Sequence, residues 1–406
     1  MNGKWDDLIH DIAVLGHVSG KLHQGEESEV LEKLLNTGSR LWMDTGDRDL
    51  ALSLWKKEIS ALTTNNTLAN QVVQSGVMDA DIESALKRIR KEAPDISEEE
   101  LITEIGFIIN CKIALRLVTT FGKKVSVELH PSMSRDIEKS LHYARRYYKV
   151  NPEHFIIKVP LTPEGYLVVR RLSKEGIPTN FTLGFSARQN YLAARLANPT
   201  YVNVFLGRLN AVVSDNGLGS GDYVGERVTI ATQRVLNGLK KRNPKVGTSL
   251  IAASVRNGQQ VLDLAGVDVL TIPPKSFGEL YNSETSSGKI SSKLEEVCPA
   301  GIDSPDRFAP LWEVDERFVS FVDTLLGENP DSMNGEGLLK VCRESNINLF
   351  YPFSSEEIQS IKDRGKIPRL SDWNEDVAID DLMTASALLS FTTDQAALDK
   401  RIKGFI

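Results

Sequence analysis

A lysine in the middle of an apolar run is the sharpest chemical signal in this chain. Lys158 follows Phe155, Ile156 and Ile157 and precedes Val159 and Pro160. Burying an ammonium is costly unless it is paired or neutralised. Burial therefore favours the neutral amine, a nucleophile toward carbonyl carbon. The plainer alternative is a strand-end lysine that snorkels to water or pairs with a neighbouring acid. Acids recur at comparable places: Asp44 closes one apolar run and Glu128 lies within another. One lysine with two carboxylates supplies a nucleophile and proton-transfer groups. Asp47 and Asp49 compete with Asp44, although loop solubility and helix capping account for both. His130 stands before Pro131, which favours a loop and a structural role. Two arginines, Arg208 in GRLN (207–210) and Arg256 in SVRN (254–257), carry guanidinium groups that hold phosphate bidentately. Taken singly, each reads as a surface ion pair; together with Ser254 they suggest a phosphate pocket.

For these side chains to meet, the apolar runs must be strands whose ends converge. The runs are RLWMD (40–44), SALTT (60–64), VSVEL (125–129), FIIKV (155–159), NFTL (180–183), YVNVFL (201–206), GTSLIAAS (247–254) and VDVLTI (267–272). Several are almost continuous in Val, Ile, Leu and Phe, as in parallel strands buried on both faces. Helical patterns separate them. One opens on Thr162-Pro163 and closes on Gly176, and another has Ser186 as a predicted N-cap. Strand-like runs alternating with helix-like runs point to an α/β fold, a (β/α)8 TIM barrel. The rival, a doubly wound open sheet, usually carries G-x-G-x-x-G after its first strand; DTGDRDLA stands there instead. The glycine cluster NGLGSGDYVG (216–225) also lacks that pattern and reads as a mobile loop near the barrel mouth. The expected organisation is an N-terminal helical extension (1–38), a barrel (39–290), a mostly helical insert (291–366) and C-terminal helices (367–406). DDLMTASALLSF and DQAALDKRIKGFI read as two separate amphipathic helices at the end.

The bulk numbers narrow the partners. The 406 residues are 41% hydrophobic and 25% charged, an ordinary globular composition. A net charge of −7 gives no global attraction to nucleic acid or anionic membrane, yet tolerates a local basic pocket. Cys111, Cys298 and Cys342 have no CxxC spacing and an odd count, which suits a reducing cytoplasm. The first residues have early acids and no clean apolar run, unlike a signal peptide, and no apolar stretch is long enough to span a membrane.

Seven segments then occur in order: DTGD (44–47), ALTTN (61–65), VSVELHP (125–131), IIKVPLTPEG (156–165), NFTLGFS (180–186), FLGR (205–208) and ASVRN (253–257). In this the chain resembles the transaldolase family across about residues 40–285, and FTTDQAALDKRI (391–402) is similar to the family's closing helix. The resemblance implies that Lys158 forms a Schiff base with a ketose phosphate and that Asp44 is the acid/base at the C4 hydroxyl. It implies that Glu128 and Thr182 position the water of carbinolamine chemistry. Asn65 and Asn180 would bond the hydroxyls of the intermediate, Phe205 would line the site, and Arg208, Ser254 and Arg256 would hold the substrate phosphate. No cofactor and no metal are implied.

Two departures from the family pattern concern substrate detail. Asn66 replaces a proline, and Asn203 stands where the family often has a serine that contacts the bound sugar. The insert carries no obvious chemistry; it covers the mouth, builds a homo-oligomer contact or is structural padding. The leading expectation is transfer of a dihydroxyacetone unit between sugar phosphates. The alternatives are a fructose-6-phosphate aldolase-like lyase, a homologue acting on a specialised sugar phosphate, and a non-catalytic barrel. Related lyases tend to carry Gln and Tyr where this chain has Glu128 and Phe205, which favours transfer.

Overall fold

The computed structural model describes residues 3–17, 20–282 and 288–406. Helices α1 (Gly3–Val14) and α2 (Glu29–Leu35) come first. Strand β1 (Arg40–Asp44) leads through α3 (Arg48–Leu54) to β2 (Ile59–Thr63). Helices α4 (Asn66–Gln74), α5 (Asp79–Glu92) and α6 (Glu98–Phe121) separate β2 from β3 (Lys124–Glu128). Helix α7 (Ile137–Val150) precedes β4 (Phe155–Pro160), α8 (Pro163–Lys174) precedes β5 (Thr179–Thr182), and α9 (Ala187–Leu196) precedes β6 (Tyr201–Phe205). Helices α10 (Leu206–Asp215) and α11 (Val224–Arg242) lead to β7 (Ser249–Ala253), and α12 (Gly258–Asp263) leads to β8 (Val269–Ile272). After α13 (Pro274–Asn282) come α14 (Glu316–Gly327), α15 (Gly335–Glu344), α16 (Ser355–Arg364) and α17 (Ile379–Lys403). The expected barrel limit near residue 290 falls beside residues 283–287, which lie outside the described set.

The strands pair in parallel, in sequence order, and β8 closes on β1. This is the expected (β/α)8 barrel. Strand β4 is buried at every position, because its inner face fills the barrel and its outer face meets helices. The local start signals behave as expected. The Thr162 side chain accepts from Gly165 N and the Ser186 side chain from Gln189 N, each capping its helix. Asp47 caps α3 through Asp49 N and Leu50 N, which supports its capping reading. His130 accepts from Ser132 N at the head of the Pro131–Met133 turn.

Three features depart from expectation. Helices α5 and α6 were not marked in the sequence; α6 packs against α1, α5 and α17 and is apolar on nearly every face, so it carries no stripe. The C-terminal segment is one helix, α17, rather than two. The two expected pieces meet at Thr392 and Thr393, whose hydroxyls donate back to Leu388 O and Leu389 O within the helix; on its buried face Thr384 Oγ1 donates to Leu183 O and Ser386 Oγ to Gly365 O. The glycine cluster is fastened rather than a free loop. Gly221 N donates to Gly301 O at 3.0 Å, Gly301 N to Asp222 O at 2.8 Å, and Asp303 N to Leu218 O at 2.9 Å. At Gly219 (φ +139°) a Cβ would lie 2.3 Å from Gly301 O, so no larger residue fits that contact.

Helices α14 and α15 pack on the outer helices α9 and α8. Arg195–Asp323, Arg170–Asp331 and Lys174–Asp331 pairs lie along that seam. Such exposed pairs contribute little each; burial of Phe318, Phe321, Val322, Leu325 and Leu338 stabilises the seam more. Helix α17 reaches the mouth, where its Phe391 ring lies 6.5 Å from that of Phe205. Among the described residues, no helix is long and apolar enough to cross a membrane.

Candidate active site

Register places Glu128, Lys158 and Asn180 side by side on β3, β4 and β5. Lys158 is buried, and its Nζ donates to the Thr64 carbonyl at 2.9 Å and lies 3.7 Å from Glu128 Oε2. That leaves a loose ion pair and an amine with hydrogens still free to move. Neither oxygen of Glu128 has a hydrogen-bond partner among the described residues. Burial pushes the Glu128 carboxyl above its usual range, and the nearby Lys158 only partly offsets this. Asp44, at the C-terminal end of β1, is also raised by burial, while the fields of Lys158 and Arg256 pull the other way. Asp44 thus lies in the fields of Lys158, Arg256 and Glu128, and Glu128 in those of Lys158 and Asp44. A buried carboxyl with a raised pKa can carry a proton at neutral pH more readily than a solvated one.

Polar side chains on β3, β5 and β6 form one network beside Lys158. Asn180 Nδ2 donates to Ser126 Oγ at 3.3 Å, and Asn203 Nδ2 lies 3.1 Å from both Asn180 Oδ1 and Thr182 Oγ1. Gly184 N donates to Asn203 Oδ1, and Asn190 Nδ2 to Asn203 O. Asn203 therefore serves as the hub that orients both Asn180 and Thr182. The next residue, Leu183, has φ +71°, a costly conformation for a branched side chain, and its carbonyl is held by Thr384 of α17. Asn65 has a second duty: its Oδ1 caps α4 by accepting from Leu68 N at 2.9 Å. Its Nδ2 is what remains to meet a ligand.

The arginines come from separate elements. Arg208 lies in the first turn of α10 and is buried, with Nη1 lacking any hydrogen-bond partner among the described residues. Burial, then the charge of Arg256, holds its pKa down to about 10. Arg256, more exposed after β7, is likewise lowered by burial, with Asp44 opposing. A buried guanidinium with a free donor facing a second guanidinium is an arrangement suited to a polyvalent oxyanion. Ser254 beside them adopts φ +65°. Gly207 permits the approach: a Cβ there would lie 2.3 Å from Ser254 O and 2.6 Å from Arg256 Nε. The Phe205 ring packs edge-on to Phe185 at 5.8 Å and, with Phe391, gives the mouth an apolar wall.

Eight of the eleven expected site residues thus lie at or just beyond the C-terminal ends of barrel strands, while Lys158, Asn180 and Asn203 each sit two residues before the ends of β4, β5 and β6. Sequence reasoning missed Ser126, the Thr64 carbonyl and Phe391. Ser126 was legible as a small polar residue inside an apolar strand; the other two depend on tertiary contact. It also missed the use of Asn66. Asn66 Nδ2 donates to Gln395 Oε1 at 2.8 Å, Gln395 Nε2 to Asp399 Oδ1 at 2.8 Å, and Asp399 Oδ2 lies 3.3 Å from His130 Nε2. Thr67 bonds Asp394 alongside. Where a proline would have no side-chain amide, Asn66 hooks α17 across the mouth. A cavity of about 240 Å³ under the β1–α3 loop is lined by Thr45, Asp47, Leu68 and Arg116 and does not include Lys158. The converging side chains, rather than that void, mark the site. Among the described residues, no group of three or more His, Cys, Asp and Glu is placed to hold a metal ion.

Comparison with known proteins points to a single family. A family model described as transaldolase/fructose-6-phosphate aldolase matches residues 41–313. The chain is 30% identical over 312 residues to a probable transaldolase of Dictyostelium discoideum, covering 74% of this chain and 91% of that protein. It is 32% identical over 265 residues to a transaldolase of Prochlorococcus marinus subsp. pastoris, covering 62% and 76%. It is 36% identical over 220 residues to a probable transaldolase of Desulfotalea psychrophila, covering 54% and 87%.

Proposed function

Because the chain belongs to the transaldolase/fructose-6-phosphate aldolase family, we propose that it transfers a dihydroxyacetone unit between sugar phosphates through a Schiff base on Lys158. The donor is a ketose phosphate, sedoheptulose 7-phosphate or fructose 6-phosphate. The acceptor is an aldose phosphate, glyceraldehyde 3-phosphate or erythrose 4-phosphate. The observation that carries this reading is a buried amine within 3.7 Å of a buried carboxylate, in register with Asn180 inside an apolar barrel.

The Lys158 amine adds to the ketose C2 carbonyl, and the carbinolamine loses water to give a protonated imine. Glu128 moves the protons of that step, and the water is held by Glu128 and Thr182. The imine then withdraws electrons as Asp44 takes the C4 hydroxyl proton. The C3–C4 bond breaks, an aldose phosphate leaves as the aldehyde, and the electron pair remains as an enamine on Lys158. An acceptor aldehyde is attacked by that enamine carbon, and Asp44 returns the proton to the new C4 oxygen. Hydrolysis of the imine releases the new ketose phosphate. Asn65 and Asn180 bond the hydroxyls of the intermediate, with Asn203 holding Asn180 in place. Arg208, Ser254 and Arg256 bind the phosphate.

Transfer is favoured over release of free dihydroxyacetone because Phe205 presents no hydroxyl to hold an extra water, and Phe391 adds a second apolar ring. The test has two readouts. Borohydride reduction in the presence of fructose 6-phosphate should tag the peptide holding Lys158, and a tag elsewhere would remove the assignment. Fructose 6-phosphate consumption should depend on erythrose 4-phosphate. Free dihydroxyacetone released without acceptor at a comparable rate would make the protein a lyase.

A further inference from the structure

We propose that Glu226 is a positioning residue that sets the spacing of Arg208 and Arg256 and so governs affinity for the phosphate of the substrate. This rests on the reading of that arginine pair as the phosphate anchor. Glu226 itself touches no substrate.

The need for such a residue follows from electrostatics. Arg208 and Arg256 belong to different elements, carry like charge and lie in each other's field. Arg208 Nη1 has no partner among the described residues. Without a bound anion the two guanidiniums repel, so something else must hold α10 against the loop after β7. Glu226, in the first turn of α11, makes that link. Its Oε2 accepts from Asn210 Nδ2 at 3.0 Å, and Asn210 is two residues beyond Arg208 on α10. Its Oε1 accepts from Gln260 Nε2 at 2.8 Å. Gln260 Oε1 in turn accepts from the backbone N of Arg256 at 2.7 Å. The backbone of Arg256 is therefore joined to the helix of Arg208 through Gln260, Glu226 and Asn210.

The chain of bonds accepts only a carboxylate at its centre. Gln260 has committed its oxygen to Arg256 N–H. Asn210 has committed its oxygen to Gly225 N–H at 2.7 Å. Both amides must therefore turn their NH₂ groups toward residue 226. A glutamine there would set its own NH₂ against one of them, and flipping either neighbour would abandon a backbone N–H. The seat is tight as well: Glu226 is 2% exposed, and a Cβ on Gly225 would lie 2.2 Å from Leu206 O, so α11 sits directly against the start of α10.

The test compares Glu226→Gln and Gln260→Met with the parent, using fructose 6-phosphate with erythrose 4-phosphate as acceptor, and then unphosphorylated fructose. Loss of one or two charge-assisted bonds in the link should raise KM for fructose 6-phosphate about tenfold. The kcat, and kcat/KM for unphosphorylated fructose, should stay within about twofold. Inhibition by inorganic phosphate should weaken in parallel. A merely structural role would lower both substrates together and leave phosphate inhibition unchanged, which overturns the proposal. Gln260→Met reads the same link if Glu226→Gln fails to fold. Arg208→Met is the control. If it leaves the preference for phosphorylated substrate intact, the arginine anchor itself is wrong. If it abolishes the preference while both link variants keep it, only the role of Glu226 is wrong.

Discussion

Replacing Arg208 with methionine separates what the phosphate pocket costs the empty protein from what it contributes with substrate bound. The guanidinium is buried, lacks a partner at Nη1 and meets the Phe391 ring at 5.8 Å. Its pKa is held down to about 10, chiefly through burial and then through Arg256. A drop of roughly 2.5, at about 1.4 kcal/mol per pKa unit, is on the order of 3 kcal/mol. The unfolded chain holds this proton easily and the folded state less well. The cost therefore stands in full at every pH below about 10, the whole range in which the protein would be assayed. Methionine removes the charge and also the ring contact, worth about 1 kcal/mol, for a net gain of roughly 2 kcal/mol. With an unfolding entropy of about 2.1 cal/mol/K per residue, a chain of 406 residues should melt about 2–3 °C higher. The assay is thermal unfolding near neutral pH, with and without inorganic phosphate. Phosphate should raise the parent's Tm by linkage and the variant's less, since Ser254 and Arg256 remain. The same variant should lose about 1.5–3 kcal/mol in kcat/KM for fructose 6-phosphate. If the variant melts lower than the parent in phosphate-free buffer, the guanidinium is structurally compensated and the reasoning fails.

Asp381 is raised to about 7, first by burial and then by Asp380, against the Tyr351 N–H, Arg135 and Arg188. Between about pH 4 and 7 the folded state keeps a proton that the unfolded chain has lost, so stability falls as pH rises through that window. Asp381→Asn keeps an acceptor for Tyr351 N; it should raise Tm near pH 8 and hardly change it near pH 4, and equal shifts at both would contradict the assigned pKa. Gln395→Leu leaves the buried Asn66 amide unbonded, at about 1–3 kcal/mol. Amide exchange should quicken across residues 379–403 while the strands stay protected; uniform quickening would mean that the link does not act locally. Phe205→Tyr should increase release of dihydroxyacetone without acceptor, and unchanged release would take this ring out of the contest between transfer and hydrolysis.

Much of the barrel and its site could be read from the chain alone. Strands buried on both faces appear as uninterrupted apolar runs, so a polar residue within or ending one, such as Lys158, Glu128 or Asp44, stands out. Helix starts at Thr162 and Ser186 were legible because a cap is a bond between residues three apart. What depended on remote partners was not. Helix α6 gave no stripe because different neighbours bury its different faces. Helix α17 read as two pieces because Thr392 and Thr393 break the apolar pattern; in the fold their hydroxyls return to Leu388 O and Leu389 O, and Asp394 bonds Thr67. The glycine-rich segment read as free because its fastening lies at Gly301 and Asp303. Asn66 read as a lost proline until Gln395, 329 residues away, supplied its partner. A sequence records which side chains need burial or a hydrogen bond; only the folded chain decides which distant group provides it, and here that choice orients α17 over the mouth and joins the two arginines through Glu226.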